Sequence, residues 1–230
     1  MKFTDNLISG ALIKRYKRFF VDVKVNNQII TAHCPNSGSM LGLLDKNNKI
    51  WISQSNNPKR KLKFTLELIK VKDSLVGVNT IFANKIVLEA LNNKTIKEFS
   101  KFENIKTEAV YDANTRFDFL LKKYDRKVFL EVKNVTLSTK ENVAEFPDAI
   151  TSRGTKHLTK LMEAKKKGYE SYILYLIQRE NCYQFKIADK IDIEYKKAFI
   201  EAKKNGVKIL SYNCKLSPQE IKVNEPVKIL

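Results

Sequence analysis

Two apolar segments with a helix-forming segment between them constrain the fold of this chain most strongly. Residues 171–178 (SYILYLIQ) are a continuous apolar run, which is typical of a strand that is buried on both faces. Residues 127–137 (KVFLEVKNVTL) predict a second strand, and residues 154–167 (GTKHLTKLMEAKKK) predict a helix that ends at Gly168. Because a strand, a crossover helix and a further strand form a βαβ unit, we expect part of the sheet to be parallel.

The segments on either side of this unit extend it to a mixed sheet with helices on both faces. They are a helix over residues 84–93, strands over 107–112 and 116–123, a helix over 192–204 and a last strand over 207–214. Residues 81–230 are therefore predicted to form one domain around this sheet.

The first 80 residues have a different pattern, that of short strands separated by turn-forming residues. Strands are predicted over residues 19–25, 28–34, 49–55 and 62–71. Asn26-Asn27, between the first two of them, is typical of a tight hairpin turn. This succession favours a small OB-like β-barrel over residues 1–80, although periodicity alone does not separate it from other small barrels. The fold class of the whole chain is predicted as α+β or α/β.

The chain is strongly basic, with 43 Lys and Arg residues against 25 Asp and Glu residues and a formal net charge of +18. Such an excess favours nucleic acid as the partner, or less often an anionic membrane. We disfavour the membrane because no basic amphipathic helix is evident. Since 36 of the 43 cations are lysine, an A/T-rich genome is an alternative source of the charge. Residues 1–80 nevertheless carry half of the net charge, +9, in about a third of the length.

The sequence also indicates a compartment. It shows no apolar run of the roughly 20 residues that span a bilayer and no signal-peptide pattern at its start. The cysteines, Cys34, Cys182 and Cys214, are scattered and odd in number, so neither a disulfide framework nor a Cys-based metal site is predicted. We expect a cytoplasmic protein; the oligomeric state stays open, a homodimer included.

Charged residues lie inside two of the predicted strands, where apolar side chains are the rule. Asp118 is in the first strand, and Glu131 and Lys133 are two positions apart in the second, so these two share a face. The short connection between the strands predicts a hairpin that brings Asp118 beside Glu131. Two convergent carboxylates are hard ligands for Mg²⁺ or Mn²⁺, and a neighbouring lysine can orient a water molecule or stabilise developing charge. We predict Asp118, Glu131 and Lys133 as catalytic residues of a phosphodiesterase; the alternative is an ion pair at a sheet edge.

This combination resembles the PD-(D/E)xK nuclease superfamily. The core of that superfamily is a helix, three antiparallel strands, a crossover helix and a further strand, and residues 84–178 are predicted in the same order. The resemblance implies that a carboxylate from the first helix joins Asp118 and Glu131 as a metal ligand, and Glu89 matches that position. The alternative for Glu89 is an ordinary exposed glutamate on a helix.

The wider sequence resembles the sugar fermentation stimulation protein family almost from end to end. The resemblance rests on LIKRYKRFFVDV (12–23), HCPNSGSM (33–40), NNPKRK (56–61), TLELI (65–69), VNTIFAN (78–84), RFDFLL (116–121), LEVKNVTL (130–137) and FPDAITSRGTKHLTKL (146–161). It implies an OB-like N-terminal domain, a PD-(D/E)xK-like C-terminal domain and DNA binding. The name of the family refers to a regulatory effect on sugar use.

Three basic segments are candidates for phosphate contact. They are Lys14, Arg15, Lys17 and Arg18; the loop residues Lys59, Arg60 and Lys61; and Arg153, Lys156 and His157 at the start of the helix after the Glu131–Lys133 strand. Tyr16, Phe19 and Phe20 are interleaved with the first set and could stack on bases, but for Phe19 or Phe20 we favour a place in the core. The loop over residues 34–40 is either an anion-binding loop or a turn.

Two functions fit these observations. The first is a nuclease that depends on Mg²⁺ or Mn²⁺, in which the OB-like domain guides the nucleic acid and the second domain cuts it. The second is a DNA-binding regulator of sugar-metabolism genes with a silent nuclease-like site. Both require DNA as a partner, and RNA stays open.

Overall fold

The N-terminal part of the chain closes into a five-stranded barrel in the computed structural model, which describes residues 1–230. The barrel strands are β1 (Ile8–Tyr16), β2 (Phe20–Val25), β3 (Gln28–His33), β4 (Lys49–Gln54) and β5 (Phe64–Val71), and β6 (Ser74–Gly77) pairs with β5 outside the closed ring. The strands follow one another in the order β1-β2-β3-β5-β4-β1, and the contact that closes the ring is a parallel bridge between His33 and Thr65. The predicted small barrel is confirmed.

Two tight turns set the register of the first three strands. Asn26 and Asn27 both have positive φ, 46° and 65°, which suits the two-residue turn of the β2–β3 hairpin. Lys17 and Arg18 also have positive φ, 46° and 62°, in the turn between β1 and β2. Phe19, next to this turn, is 43% exposed, so a place in the core is wrong for this residue, whereas Phe20 is half-buried.

A six-stranded mixed sheet organises the rest of the chain. Its strands, in spatial order, are β15 (Ile221–Pro226), β14 (Lys208–Leu216), β12 (Glu170–Ile177), β9 (Arg126–Val135), β8 (Thr115–Lys123) and β7 (Asn104–Asp112). Strand β12 runs parallel to both β9 and β14, whereas β7, β8 and β9 form an antiparallel meander. The predicted βαβ crossover is thus confirmed, with β9 and β12 as its strands.

Helices cover both faces of this sheet. They are α1 (Ala83–Asn92), α2 (Ser152–Lys166) and α3 (Ile193–Lys204). Helix α1 packs through Ile86, Val87 and Leu91 into one apolar cluster with the sheet, and α2 and α3 belong to a second cluster with residues such as Ile173 and Tyr175. Because apolar side chains are buried on both sides of β12, the continuous apolar run in the sequence is accounted for.

A second, four-stranded sheet is inserted beside the crossover, and the sequence pattern did not predict it. It contains β10 (Leu137–Lys140), β11 (Asn142–Phe146), β13 (Cys182–Ile187) and β16 (Lys228–Ile229). Strands β10 and β11 lie in the chain between β9 and α2, so the crossover is longer than a single helix. The loop from β11 to α2 lines a cleft together with residues 36–38 of the barrel.

The barrel and the larger sheet share a core and a polar contact at their junction. Trp51 and Leu68 of the barrel belong to the same apolar cluster as α1. Glu67, which is 2% exposed, accepts hydrogen bonds from Asn79 Nδ2 at 2.8 Å and from Ser53 Oγ at 2.6 Å. Since Asn79 lies in the segment that connects the two parts, this buried carboxylate fixes the start of the second domain against the barrel.

None of the three α-helices combines the length and the apolar composition that a membrane-spanning helix needs.

Candidate active site

The β8–β9 hairpin brings Asp118 and Glu131 to opposing positions. The ladder runs from the pair Lys123↔Arg126 at the turn to the pair Phe119↔Leu130, and the next step along both strands is Asp118 opposite Glu131. The strands separate there, and Asp118 Oδ2 accepts a hydrogen bond from the backbone N–H of Val132 at 2.7 Å. The predicted hairpin therefore places both carboxylates at the point where the ladder ends.

Asp118 is held from two sides and is partly desolvated. Its Oδ1 accepts a hydrogen bond from Asn84 Nδ2 in the first turn of α1 at 2.7 Å. Burial, together with the negative charge of Glu131, raises the pKa of Asp118 to about 6. The negative charge of Asp118 is therefore only partly compensated by the surrounding protein.

Glu131 is buried, with 3% of its surface exposed. Its Oε1 accepts a hydrogen bond from Lys133 Nζ at 2.7 Å and contacts His157 Nδ1, whereas its Oε2 is buried without a hydrogen-bond partner. Burial raises the pKa of Glu131, but the Lys133 ammonium and His157 lower it by more, so the pKa lies below its usual value. Glu131 is therefore ionised with one oxygen uncovered.

These two carboxylates fit a hard divalent cation. A buried carboxylate oxygen without a partner is costly, and a cation held by Glu131 and Asp118 would offset that cost and the repulsion between the two charges. No group of three or more His, Cys, Asp and Glu side chains is arranged to hold a metal ion. A cation here would therefore take its remaining ligands from water or substrate, which is common for Mg²⁺.

Glu89, predicted as a third metal ligand, lies elsewhere. Its Oε1 forms an ion pair with the N-terminal ammonium of Met1 at 2.7 Å. Successive helix residues are rotated by about 100°, so Glu89 points about 140° away from Asn84, the α1 residue that reaches Asp118. Helix α1 thus supplies an amide to the site, and Asn84 was not predicted from the sequence.

The start of α2 borders the two carboxylates. Thr151 caps the helix, since its Oγ1 accepts a hydrogen bond from Gly154 N at 3.1 Å. One turn later, His157 is largely buried against Glu131, with 8% of its surface exposed. Arg153 and Lys156 are exposed. Of the three residues predicted here for phosphate contact, these two cations face solvent.

A cavity of about 530 Å³ lies beside Asp118 and the start of α2. Its lining includes Asp118, Arg116, Arg153, Lys156 and His157. Arg116, two residues before Asp118 on β8, is exposed and was not predicted. Glu108 and Asp112 also line the cavity, so three cations face three carboxylates there. Such a mixed lining offers cations for the phosphates of an anionic substrate and, at Asp118, a carboxylate for a metal ion.

The basic residues of the β1–β2 turn have unequal roles. The guanidinium of Arg15 donates hydrogen bonds to the backbone oxygens of Arg18 at 2.8 Å, Asn36 at 2.7 Å and Ser39 at 3.2 Å. Arg15 therefore holds the 34–40 loop in place, whereas Lys17 and Arg18 are exposed. This arginine fixes the conformation of the loop, and whether the loop also binds an anion stays a prediction.

The neighbouring aromatic residues form a surface with Lys14. The rings of Tyr16 and Phe20 stack with centroids 5.6 Å apart, and Lys14 Nζ lies 5.5 Å from the Tyr16 centroid. Both rings are half-buried. One face of the barrel thus presents aromatic rings beside cations.

In the other basic loop, Lys59 and Lys61 are exposed. Arg60 is half-buried and donates a hydrogen bond from its guanidinium to Thr65 Oγ1 at 3.1 Å. Arg60 and Lys85 line a cleft of about 520 Å³ between the barrel and α1. This cleft is next to the first turn of α1, which carries Asn84.

Comparison with known proteins gives consistent matches along the whole chain. Residues 13–78 match the family model described as the SfsA N-terminal OB domain, and residues 81–220 match the model described as the sugar fermentation stimulation protein RE domain. The N-terminal barrel is thus an OB-like domain, as predicted.

The chain matches individual relatives over almost their full length. The chain is 56% identical over 230 residues to a sugar fermentation stimulation protein homolog of Pelagibacter ubique, covering 100% of this chain and 99% of the relative. It is 42% identical to a homolog of Paramagnetospirillum magneticum, covering 99% and 97%.

Among solved structures, the chain is similar to SfsA of Pyrococcus furiosus in complex with Ca²⁺, with a TM-score of 0.90 and 20% identity over 100% of this chain and 98% of that one. At this identity the likeness shows the shared fold. Together with the two family models and the full-length relatives, the matches show that the chain belongs to the sugar fermentation stimulation protein family.

Proposed function

We propose that this protein binds DNA and hydrolyses phosphodiester bonds with Mg²⁺ or Mn²⁺ held by Asp118 and Glu131. The observation that carries the proposal is the buried Glu131, whose Oε2 lacks a partner, opposite the partly desolvated Asp118. Groups with perturbed pKa values in a cavity are characteristic of functional sites. The complex of the Pyrococcus furiosus protein with Ca²⁺ supports a divalent-cation site in this fold.

Each side chain has a distinct task in this proposal. Asn84 and the Val132 N–H hold the Asp118 carboxylate, and His157 holds Glu131 Oε1. Lys133 Nζ, fixed by Glu131 Oε1, orients the attacking water or neutralises charge that develops on the phosphate. When bound, the cation polarises a phosphoryl oxygen and lowers the pKa of a bound water.

Cations around the cavity supply the binding energy for the substrate backbone. Arg116, Arg153 and Lys156 line the cavity with Asp118, so they can contact phosphates on either side of the scissile bond. The barrel adds Lys59 and Lys61, and its stacked Tyr16 and Phe20 rings are a place for bases. We infer DNA as the substrate; RNA remains an outcome of the test.

A second candidate is a DNA-binding regulator of sugar-metabolism genes that does not cleave. One observation favours it: α1 supplies the Asn84 amide to the site in place of a carboxylate, and Glu89 is occupied by the N-terminal ammonium. Two protein carboxylates give a cation fewer anionic ligands than three. The name of the family is consistent with a regulatory role.

We also propose a cytoplasmic location. The three cysteines are free and buried, which suits a reducing compartment.

Incubation of the purified protein with labelled single- and double-stranded DNA and RNA, in Mg²⁺, Mn²⁺ or EDTA, separates the two functions. We expect cleavage that requires the cation and stops in EDTA. Binding to DNA without cleavage of any of the four substrates in either metal would support the non-cleaving regulator and contradict the nuclease.

A further inference from the structure

A cleft of about 360 Å³ lies where the barrel meets the second domain. Its barrel wall is Arg18 and residues 36–38, and its opposite wall is residues 134–136 of the β9 end and the loop over residues 145–151. Two segments of the cleft lining are sequence neighbours of candidate active-site residues. Asn134 directly follows Lys133, and Thr151 caps the helix that carries Arg153 and His157.

Two residues of the cleft lining, Gly38 of the barrel and Asp148 of the second domain, lie against each other. A Cβ atom on Gly38 would come within 2.0 Å of Asp148 Oδ2, so the barrel loop touches the β11–α2 loop with no room for a side chain. The Met40 N–H also donates a long hydrogen bond to Asp148 Oδ2, at 3.4 Å. An intact duplex does not fit into such a space, because a duplex is wider than its own major groove, which already measures about 12 Å. The volume is that of a pocket for one small ligand.

The barrel wall of the cleft is rigid. Asn36 is 3% exposed; its Nδ2 donates to Val78 O at 3.1 Å, and its Oδ1 accepts from Gly38 N at 2.9 Å. Arg15 fixes the same loop through the backbone oxygen of Asn36. A pocket with preformed walls loses little conformational entropy when a ligand enters.

The charges of the cleft favour a base and disfavour a phosphate inside it. Arg18 is its one cation, whereas Glu145 and Asp148 are carboxylates. Lys186 neutralises Glu145 at 2.8 Å, but Asp148 has only the long contact from Met40, so it retains capacity to accept hydrogen bonds. The exocyclic amines of adenine, cytosine and guanine are donors that suit such a carboxylate.

The remaining lining suits a nucleobase as well. Neutral donors and acceptors come from Ser37, Asn134 and Thr136. Phe146, half-buried, lines the cleft, and its ring packs against Tyr175 and Tyr195 at centroid distances of 5.5 and 5.1 Å. Unpaired bases are recognised by this combination of hydrogen bonds and an aromatic surface.

The geometry points to a pocket for one unpaired nucleobase of the substrate strand, next to the bond that is cut. The protein then acts on single strands, or on strands with an unpaired base, in preference to intact duplexes. This inference rests on the proposed function and specifies its substrate.

Binding in EDTA, where no cleavage takes place, tests the inference separately from nuclease activity. A single-stranded DNA oligonucleotide that carries the fluorescent base 2-aminopurine is compared with the same strand in a duplex. We expect about tenfold tighter binding of the single strand, and quenching of its fluorescence as the base stacks on Phe146. Equal or tighter binding of the duplex would overturn the pocket while leaving DNA binding intact. Absence of binding to both would overturn the pocket and the proposed DNA binding together.

Two matched variants locate the effect. Ser37→Trp fills the cleft from its exposed wall, whereas Ser39→Trp adds the same bulk two residues further along the loop, outside the lining. We expect Ser37→Trp to lose about tenfold in single-strand affinity with duplex binding unchanged, and Ser39→Trp to retain wild-type affinity. Thermal unfolding checks that both are folded. Wild-type single-strand affinity in a folded Ser37→Trp variant would contradict the pocket, as would equal losses in the two variants.

Discussion

The carboxylate of Asp118 accepts the backbone N–H of Val132 at 2.7 Å, in the place where a backbone carbonyl of β8 would continue the β8–β9 ladder. One side chain therefore ends the strand pairing and at the same time lies opposite Glu131. The pairing is regular from the turn up to Phe119 and Leu130. The positions of the two carboxylates, one step further, therefore depend on the hairpin register that the Tyr124-Asp125 turn sets.

Asp118→Asn should abolish metal-dependent cleavage and leave DNA binding intact, because the carboxylate is proposed to hold the cation while basic residues hold phosphates. In EDTA the variant should bind DNA as tightly as the wild type or more tightly, since a carboxylate repels phosphate. Gel-based cleavage and binding titrations measure both properties. Asp125→Asn, in the exposed turn of the same hairpin, is the control and should behave as wild type. Full cleavage by Asp118→Asn would refute the assignment.

Lys133→Ala should slow cleavage while metal binding persists, because Lys133 contacts Glu131 Oε1 and leaves Oε2 free for the cation. Loss of one charge-stabilising group costs about 10²–10³ in rate. Calorimetric titration with Mn²⁺ should detect binding in Lys133→Ala and none in Asp118→Asn. The exposed Lys127 on the same strand provides the control substitution, Lys127→Ala, for which an equally large rate loss would argue against a specific role of Lys133.

The stability of the protein without metal should depend on pH through Asp118. Its pKa is raised to about 6 in the folded state, so between the unfolded value and pH 6 the folded state binds more protons, and its stability falls as pH rises. From pH 5 to pH 7.5 the loss from this group is about 1–2 kcal/mol. Asp118→Asn lacks this pH-dependent loss. Its free energy of unfolding relative to that of the wild type should therefore rise by about 1–2 kcal/mol between pH 5 and pH 7.5. Urea unfolding of both proteins in EDTA at the two pH values gives the difference, and a pH-independent difference would contradict the raised pKa.

Replacing Lys59, Arg60 and Lys61 with alanine should flatten the salt dependence of DNA affinity. Each neutralised phosphate contributes about 0.9 to the slope of log affinity against log salt concentration, so three contacts account for up to about 2.7. The control triple variant removes Lys197, Lys203 and Lys204 from α3, which are also exposed. An unchanged slope in the first variant, or an equal change in both variants, would show that residues 59–61 do not contact the DNA.

Arg15→Ala and Arg18→Ala should separate a structural arginine from a binding one. Arg15 donates hydrogen bonds to three backbone oxygens, so its loss should lower the free energy of unfolding by about 2–4 kcal/mol. Arg18→Ala should change stability by no more than about 0.5 kcal/mol and weaken DNA binding. Urea unfolding and binding titrations of the two variants measure these effects. An Arg15→Ala variant as stable as the wild type would contradict the structural role of Arg15.

Much of the fold follows from local patterns in the sequence. The turn residues Asn26-Asn27, the alternating strands and the apolar run at residues 171–178 predict the hairpins and the βαβ unit because each signal depends on neighbouring residues. Counting residues around the second hairpin was enough to place Asp118 beside Glu131. The second sheet, by contrast, has only short strands, and three of its four have lengths of four to six residues, too short for a clear periodicity.

The roles of individual charges were decided by tertiary contacts. The sequence by itself determined that Glu89 lies on α1 and that Arg15 and His157 are basic residues close to other basic residues. Only the folded chain pairs Glu89 with the N-terminal ammonium, 88 residues away, and His157 with Glu131, 26 residues away. The contact of Met40 with Asp148 spans 108 residues. Contacts of this range leave no periodic signal, because they depend on how the barrel and the sheet pack together.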